Sequence, residues 1–161
     1  MFSFSDTSLQ KKQTIDYDLQ IILDESIRES QIDFGISEGY RSPEAQFILF
    51  KKGRKLIDGI WVVVNEKEVV TNIDGYTLKG NHNYYPSLAV DIFVHVEGKP
   101  NLRYDKVHLA YLGGLILTKA NALFKRGIVT HKIRWGGNWD GDGELLYDQK
   151  LKDMPHFEII T

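Results

Sequence analysis

Four side chains in this sequence have the types and the spacing to do chemistry together. His82 and Asp91 stand nine positions apart in the run His82-Asn83-Tyr84-Tyr85-Pro86-Ser87-Leu88-Ala89-Val90-Asp91. Asp153 and His156 stand three apart in Asp153-Met154-Pro155-His156-Phe157-Glu158, near the end of the chain. The sequence has no cysteine, so disulfides, thiol nucleophiles and Cys-type zinc sites are excluded. Any metal must then be held by imidazole and carboxylate. His82, Asp91 and His156 would make a three-ligand zinc site with a fourth position open for water, as hydrolysis requires. Asp153, three residues ahead of a ligand in a bent segment, would reach that water rather than the ion and serve as general base. Spacing alone is weak support. A short Asp-x-x-His is common, and neither His-Glu-x-x-His nor its inverted form occurs. On spacing, a plainer reading is favoured: a loop histidine, a strand-end aspartate and a partly buried histidine.

These residues need separate elements to bring them together. Residues 89–96 read as a strand in which Asp91, Phe93 and His95 share one face and Ile92, Val94 and Val96 the other. The Pro86-Ser87 bend lets a loop fold His82 back onto the start of that strand. His156 begins a final strand, 156–160, just after Pro155 has removed a backbone donor. Upstream, residues 1–13 read as a polar arm or short turn. Thr14 or Asp16 caps a helix that carries Leu19, Ile22, Leu23 and Ile27 as one stripe. Residues 31–38 read as a short strand. Ser42-Pro43-Glu44 starts a helix that ends near Lys51-Lys52-Gly53. Residues 60–64 and 68–71 read as a hairpin or two edge strands. Residues 105–126 form the longest helix, with Leu109, Leu112, Ile116, Leu117, Ala120, Leu123 and Phe124 inward. Residues 132–135 are a short strand and 136–148 a loop. The 161 residues show no repeat and no linker. The expectation is one domain over 1–161, α+β in class: a small, mostly antiparallel sheet with helices packed on one face.

Net charge is −2, with no basic stripe on any expected helix, so nucleic acid is not an expected partner. The longest apolar stretch, 109–117, is interrupted by Gly113-Gly114 and too short to span a bilayer. No basic region followed by an apolar run opens the chain. These features predict a monomer without a membrane partner, made in the cytoplasm and released to any outer substrate by another factor.

Four segments occur in order between about residues 19 and 158. They are Gly39-Tyr40-Arg41-Ser42-Pro43-Glu44-Ala45-Gln46, Val70-Thr71-Asn72-Ile73-Asp74-Gly75, the run from His82 to Asp91, and the run from Asp153 to Glu158. Together they resemble the VanY and D-Ala-D-Ala carboxypeptidase superfamily of zinc peptidases. The similarity is greatest to its phage endolysin branch, which includes L-alanyl-D-glutamate endopeptidases. The combination is specific where the spacing was not, and it reverses the balance. The resemblance implies Zn2+ on His82, Asp91 and His156, Asp153 as the catalytic acid, and Arg41 as the residue that binds substrate and stabilises the transition state. It also implies Gln46 as part of the substrate-binding segment and the peptidoglycan stem peptide as substrate. Two positions depart from the commoner pattern: Gly80 stands where a Ser precedes the first His, and the His-to-Asp spacing is longer. For Arg41 a surface salt bridge is the plainer alternative.

Other residues of the same types stand apart from this group. His95 shares the face of Asp91 but lies roughly 13 Å along the strand, outside one ligand shell. His108 and His131 read as structural or exposed. Asn138, Asp140, Asp142 and Glu144 resemble the start of a calcium loop, with Gln149 where the bidentate Glu belongs. The resemblance supports Ca2+ there, and a plain acidic turn is the alternative. Trp135 and Trp139 flank Gly136-Gly137 and would either wall the cleft, Trp135 against substrate, or be core aromatics. The function expected is a peptidoglycan hydrolase cutting the L-Ala–D-Glu bond for lysis. A D-Ala-D-Ala carboxypeptidase is the nearest rival, and a non-catalytic wall-binding module the rival of another class.

Overall fold

The computed structural model describes residues 1–142, 144 and 152–161 of the chain. Its helices are α1 (Asp6–Lys12), α2 (Tyr17–Glu29), α3 (Pro43–Phe50) and α4 (Lys106–Lys125). Its strands are β1 (Asp33–Glu38), β2 (Arg54–Ile57), β3 (Ile60–Val63), β4 (Ala89–His95), β5 (Ile133–Trp135) and β6 (His156–Ile159). The class is α+β, and every strand pair among the described residues is antiparallel.

The main sheet runs β1-β4-β6-β5. Its register sorts side chains into two faces, because neighbours on a pleated strand point opposite ways. Phe34 pairs with Val94, Ile36 with Ile92, Val90 with Phe157, and Phe157 with Trp135. This apolar face packs with Leu19, Ile22 and Leu23 of α2 and Leu112, Ile116 and Leu123 of α4 into one core. On the other face Asp91 pairs with His156, and Arg134 with Glu158. Strand alternation has thus separated the core from the chemistry. By length and composition α4 is apolar enough to cross a membrane, but here its inner stripe is core.

The end signals behave as helix chemistry dictates. Asp16, not Thr14, caps α2, accepting the Asp18 N–H at 2.9 Å. Thr14 Oγ1 instead accepts the Tyr40 N–H at 2.9 Å, tying the chain just ahead of Arg41. Ser42 caps α3 and Asp105 caps α4.

Two expectations need correction. Residues 1–13 contain α1, whose seven residues are too short to show a periodic stripe. It covers the outer edge of β1, where Ser8 Oγ accepts the Ile36 N–H at 3.0 Å. The partner of β3 is β2, not residues 68–71, and 66–68 form a 3₁₀ turn. Asp58 and Gly59, with φ of 49° and 81°, make the tight turn that joins them. Phe47 of α3 meets Trp61 of β3 edge-on, so the hairpin packs on α3, whose Gln46 and Leu49 line the cleft described next.

Candidate active site

Three segments deliver the metal-ligand candidates. Asp91 lies on the face of β4 away from α2 and α4, and β6 sets His156 opposite it. His82 sits in a 3₁₀ turn, Asn81–Asn83. That turn is tied to the loop between β1 and α3: Arg41 N–H donates to the His82 carbonyl at 2.8 Å, and Asn83 Nδ2 donates to the Arg41 carbonyl at 2.9 Å. At Gly80 the backbone N–H donates to Asn83 Oδ1 at 2.9 Å, which closes the turn.

The donor atoms converge. His156 Nδ1 is 2.9 Å from Asp91 Oδ1, His82 Nε2 is 3.2 Å from Asp91 Oδ1, and the two nitrogens are 3.3 Å apart. Ligands at about 2.0–2.1 Å in a tetrahedron stand about 3.3–3.4 Å from one another. The triangle is therefore the size of one face of a tetrahedral zinc shell. The outer nitrogens are oriented as well. His82 Nδ1–H donates to the Gly39 carbonyl at 2.7 Å, leaving the Nε2 lone pair inward. His156 Nε2 lies 2.9 Å from Glu158 Oε2, leaving Nδ1 inward. Both imidazoles are buried.

Charge follows the same geometry. Burial alone would raise Asp91, but hydrogen bonds from His156 and His82 hold it far below the ordinary carboxylate range. Burial alone would lower His156; Asp91 and Glu158 instead carry it up to about 9. Without an ion, a proton on His156 Nδ1 thus occupies the triangle. Glu158 is taken down to about 2 by His156, Arg134 and Asn81 against the opposing effect of burial. Asp153 is pushed up, by burial first and then by the charge of Asp91.

Asp153 lines the same cleft, a cavity of about 580 Å³, together with His82, Asp91, His156, Arg41 and Trp139. Gly136 holds the Asp153 segment by close approach: Asp153 N–H donates to the Gly136 carbonyl at 3.0 Å, and a Cβ on Gly136 would lie 2.1 Å from the Asp153 carbonyl oxygen. Arg41 reaches the cleft with its guanidinium braced, Nη1 on Gln46 Oε1 at 3.0 Å and Nη2 on Glu38 Oε2 at 2.9 Å. A register shift between Ile36 and Glu38 turns Glu38 to the Asp91 face, where it can do this.

The chain matches the family model described as phage L-alanyl-D-glutamate peptidase over residues 1–160. The chain belongs to that family. It is thus a peptidoglycan-acting peptidase, and its His82–Asp91–His156 group is able to bind a metal. No curated protein sequence matches it. Among solved structures it is similar to the Serratia marcescens L-Ala D-Glu endopeptidase ChiX, with a TM-score of 0.64 at 19% identity. That match covers 98% of this chain and 90% of the other, and at this identity it shows a shared fold.

Within this peptidase, other candidates fall differently. Trp135 does not wall the cleft. It is 2% exposed on the core face, stacked on Phe157, with Nε1–H donating to the Met154 carbonyl at 2.7 Å. Trp139 is the tryptophan in the cleft, its ring 5.3 Å from that of His156. Odd and even positions on a strand face opposite ways, and Trp135 falls on the apolar side. Gln46 lines the cleft but is 3% exposed, its carboxamide engaged by Arg41 and, at 2.9 Å, by the Ile73 carbonyl. In the acidic loop, Asn138 Oδ1 and Asp142 Oδ1 accept the N–H groups of Gly141 and Glu144 at 2.9 and 2.8 Å. Asp140 takes a longer contact from Asp142 N–H. Gln149 lies outside the described residues. His95 pairs with Asp33, His108 with Asp105 and His131 with Asp18, all away from the cleft. Sequence reasoning passed over Arg134, Asn81 and the part played by Glu158. The signal was available: Glu158 is two strand positions after His156, hence on its face.

Proposed function

We propose that this chain is a zinc-dependent endopeptidase that hydrolyses the L-Ala–D-Glu bond of the peptidoglycan stem peptide. The observation that carries this reading is the triangle of His82, Asp91 and His156 with Asp153 beside it in one cleft. The donor set of two imidazoles and one carboxylate suits zinc. The family description and the printed name of the Serratia relative support the choice of bond. When bound, zinc supplies a Lewis acid that activates water and polarises the scissile carbonyl.

The chain's own residues do the rest. Asp153 accepts a proton from water as its oxygen attacks the amide carbon. It returns that proton to the amine nitrogen as the C–N bond breaks. Its raised affinity for protons suits it to both halves of the task. Arg41 offers a permanently charged planar fork that grips a substrate carboxylate or the oxygen that gains charge. Glu38 and Gln46 fix the plane of that fork before substrate arrives. Trp139 lies against the His156 ring in the cleft wall.

Digestion of purified peptidoglycan, with the products weighed by mass spectrometry, tests the proposal. New N-terminal D-Glu is the expected product. Free D-Ala would replace the endopeptidase with a carboxypeptidase, and intact peptidoglycan bound by the protein would leave a wall-binding module.

A further inference from the structure

The imidazole of His156 has two nitrogens and, when neutral, one proton. If that proton sits on Nε2, Nδ1 offers a lone pair to the triangle; if it sits on Nδ1, the ligand is lost. We propose that Glu158 is the positioning residue that decides this, and that Arg134 and Asn81 hold it to the task. The inference rests on the metal-centre reading above.

Each oxygen of Glu158 has its own work. Oε2 faces His156 Nε2 at 2.9 Å. Oε1 takes Arg134, whose Nε donates to it at 2.6 Å and whose Nη2 reaches it as well. Asn81, the neighbour of His82, lines the cleft beside this carboxylate. The three contacts come from three segments, because β6 places Glu158 on the face of His156 and β5 sets Arg134 opposite it. Glu158 is 6% exposed, so its oxygens depend on these partners rather than on water. Arg134 can only donate, so it claims Oε1 and leaves Oε2 as the acceptor facing Nε2. Trp139 lies against both, 5.2 Å from the Arg134 guanidinium and 5.3 Å from the His156 ring.

The isosteric change Glu158→Gln makes the inference sharp. Arg134 can only donate, so it claims the carboxamide oxygen and leaves the NH2 facing Nε2. That favours the wrong tautomer without removing an atom from the packing. Zinc affinity, measured by competition with a chromophoric chelator, should fall about ten- to a hundredfold. Adding Arg134→Leu frees the carboxamide to flip, so the double variant should regain at least severalfold in affinity over Glu158→Gln alone. A role confined to folding would instead lower the melting temperature of the ion-free protein and leave affinity intact in the folded fraction. Nitrogen NMR of the zinc-loaded wild type should place the His156 proton on Nε2.

Glu158→Gln binding zinc within twofold of wild type overturns the inference, as does a double variant no better than the single one. Should Glu158→Gln fail to fold, the NMR assignment decides: ligation through Nε2 rejects the inference. A wild-type protein that takes up no zinc sinks the parent reading and this one together. A wild type that binds zinc, with Glu158→Gln binding it equally well, sinks this one alone.

Discussion

Asp153 is the side chain on which turnover turns, and it is separable from ion binding. Its carboxyl lines the cleft but is not one of the three converging donors. Asp153→Ala should therefore bind zinc with wild-type affinity while kcat falls about 10²–10⁴-fold, the usual worth of a positioned acid–base group. Chelator competition and turnover on a purified muropeptide measure the two separately. His156 makes a second prediction. Its ion-free proton, lost near pH 9, occupies the place the ion would take. Below that pH the protonated form competes, so apparent zinc affinity should rise about tenfold per pH unit up to about 9 and then level off. Competition titrations from pH 6 to 10 would show the slope. A flat profile would mean that His156 gives up no proton on binding.

At the scale of elements, the site depends on short segments held by backbone contact rather than by helices. Gly136 N–H donates to the His156 carbonyl at 2.8 Å and its carbonyl accepts the Asp153 N–H at 3.0 Å, linking β5 to the turn before β6. A methyl group there meets backbone, which cannot swing aside. Gly136→Ala should cost about 1–3 kcal/mol of stability, the range for overpacking, and displace Asp153. Urea denaturation checks the first effect. A fall in kcat at saturating zinc checks the second. The irregular step in β1 matters at the same scale. Regular pairing would leave Ile36 and Glu38 on one face. The shift sends Ile36 to the core and Glu38 to Arg41, which it grips from 2.9 Å.

For the whole molecule, an ion held by residues 82, 91 and 156 closes nearly half of the chain into loops. The folded state gathers these donors and the unfolded chain does not. Zinc at a thousand times its dissociation constant should then stabilise the fold by about 4 kcal/mol. Thermal melts with and without a chelator should differ accordingly, and His82→Ala should melt at one temperature under both conditions. An unchanged wild-type melt on chelation would argue against an ion bound only by the folded state.

The sequence by itself determined what repeats locally. Alternation in residues 89–96, the Ser42-Pro43 and Asp105 helix starts and the apolar stripes of α2 and α4 are each written in a few consecutive residues. Local sterics and capping are enough to read them. The family was legible because its motifs keep their order along the chain. Sequence could also name His82, Asp91, Asp153 and His156, since few residue types can do such chemistry and cysteine is absent. Only the tertiary structure decided which side chains meet. Strand register brought His156 to Asp91 and Arg134 to Glu158, the Asp58-Gly59 turn chose the partner of β3, and pleating sent Trp135 inward while Trp139 took the cleft. Those outcomes depend on pairing between distant segments, where a shift of one residue reverses every face.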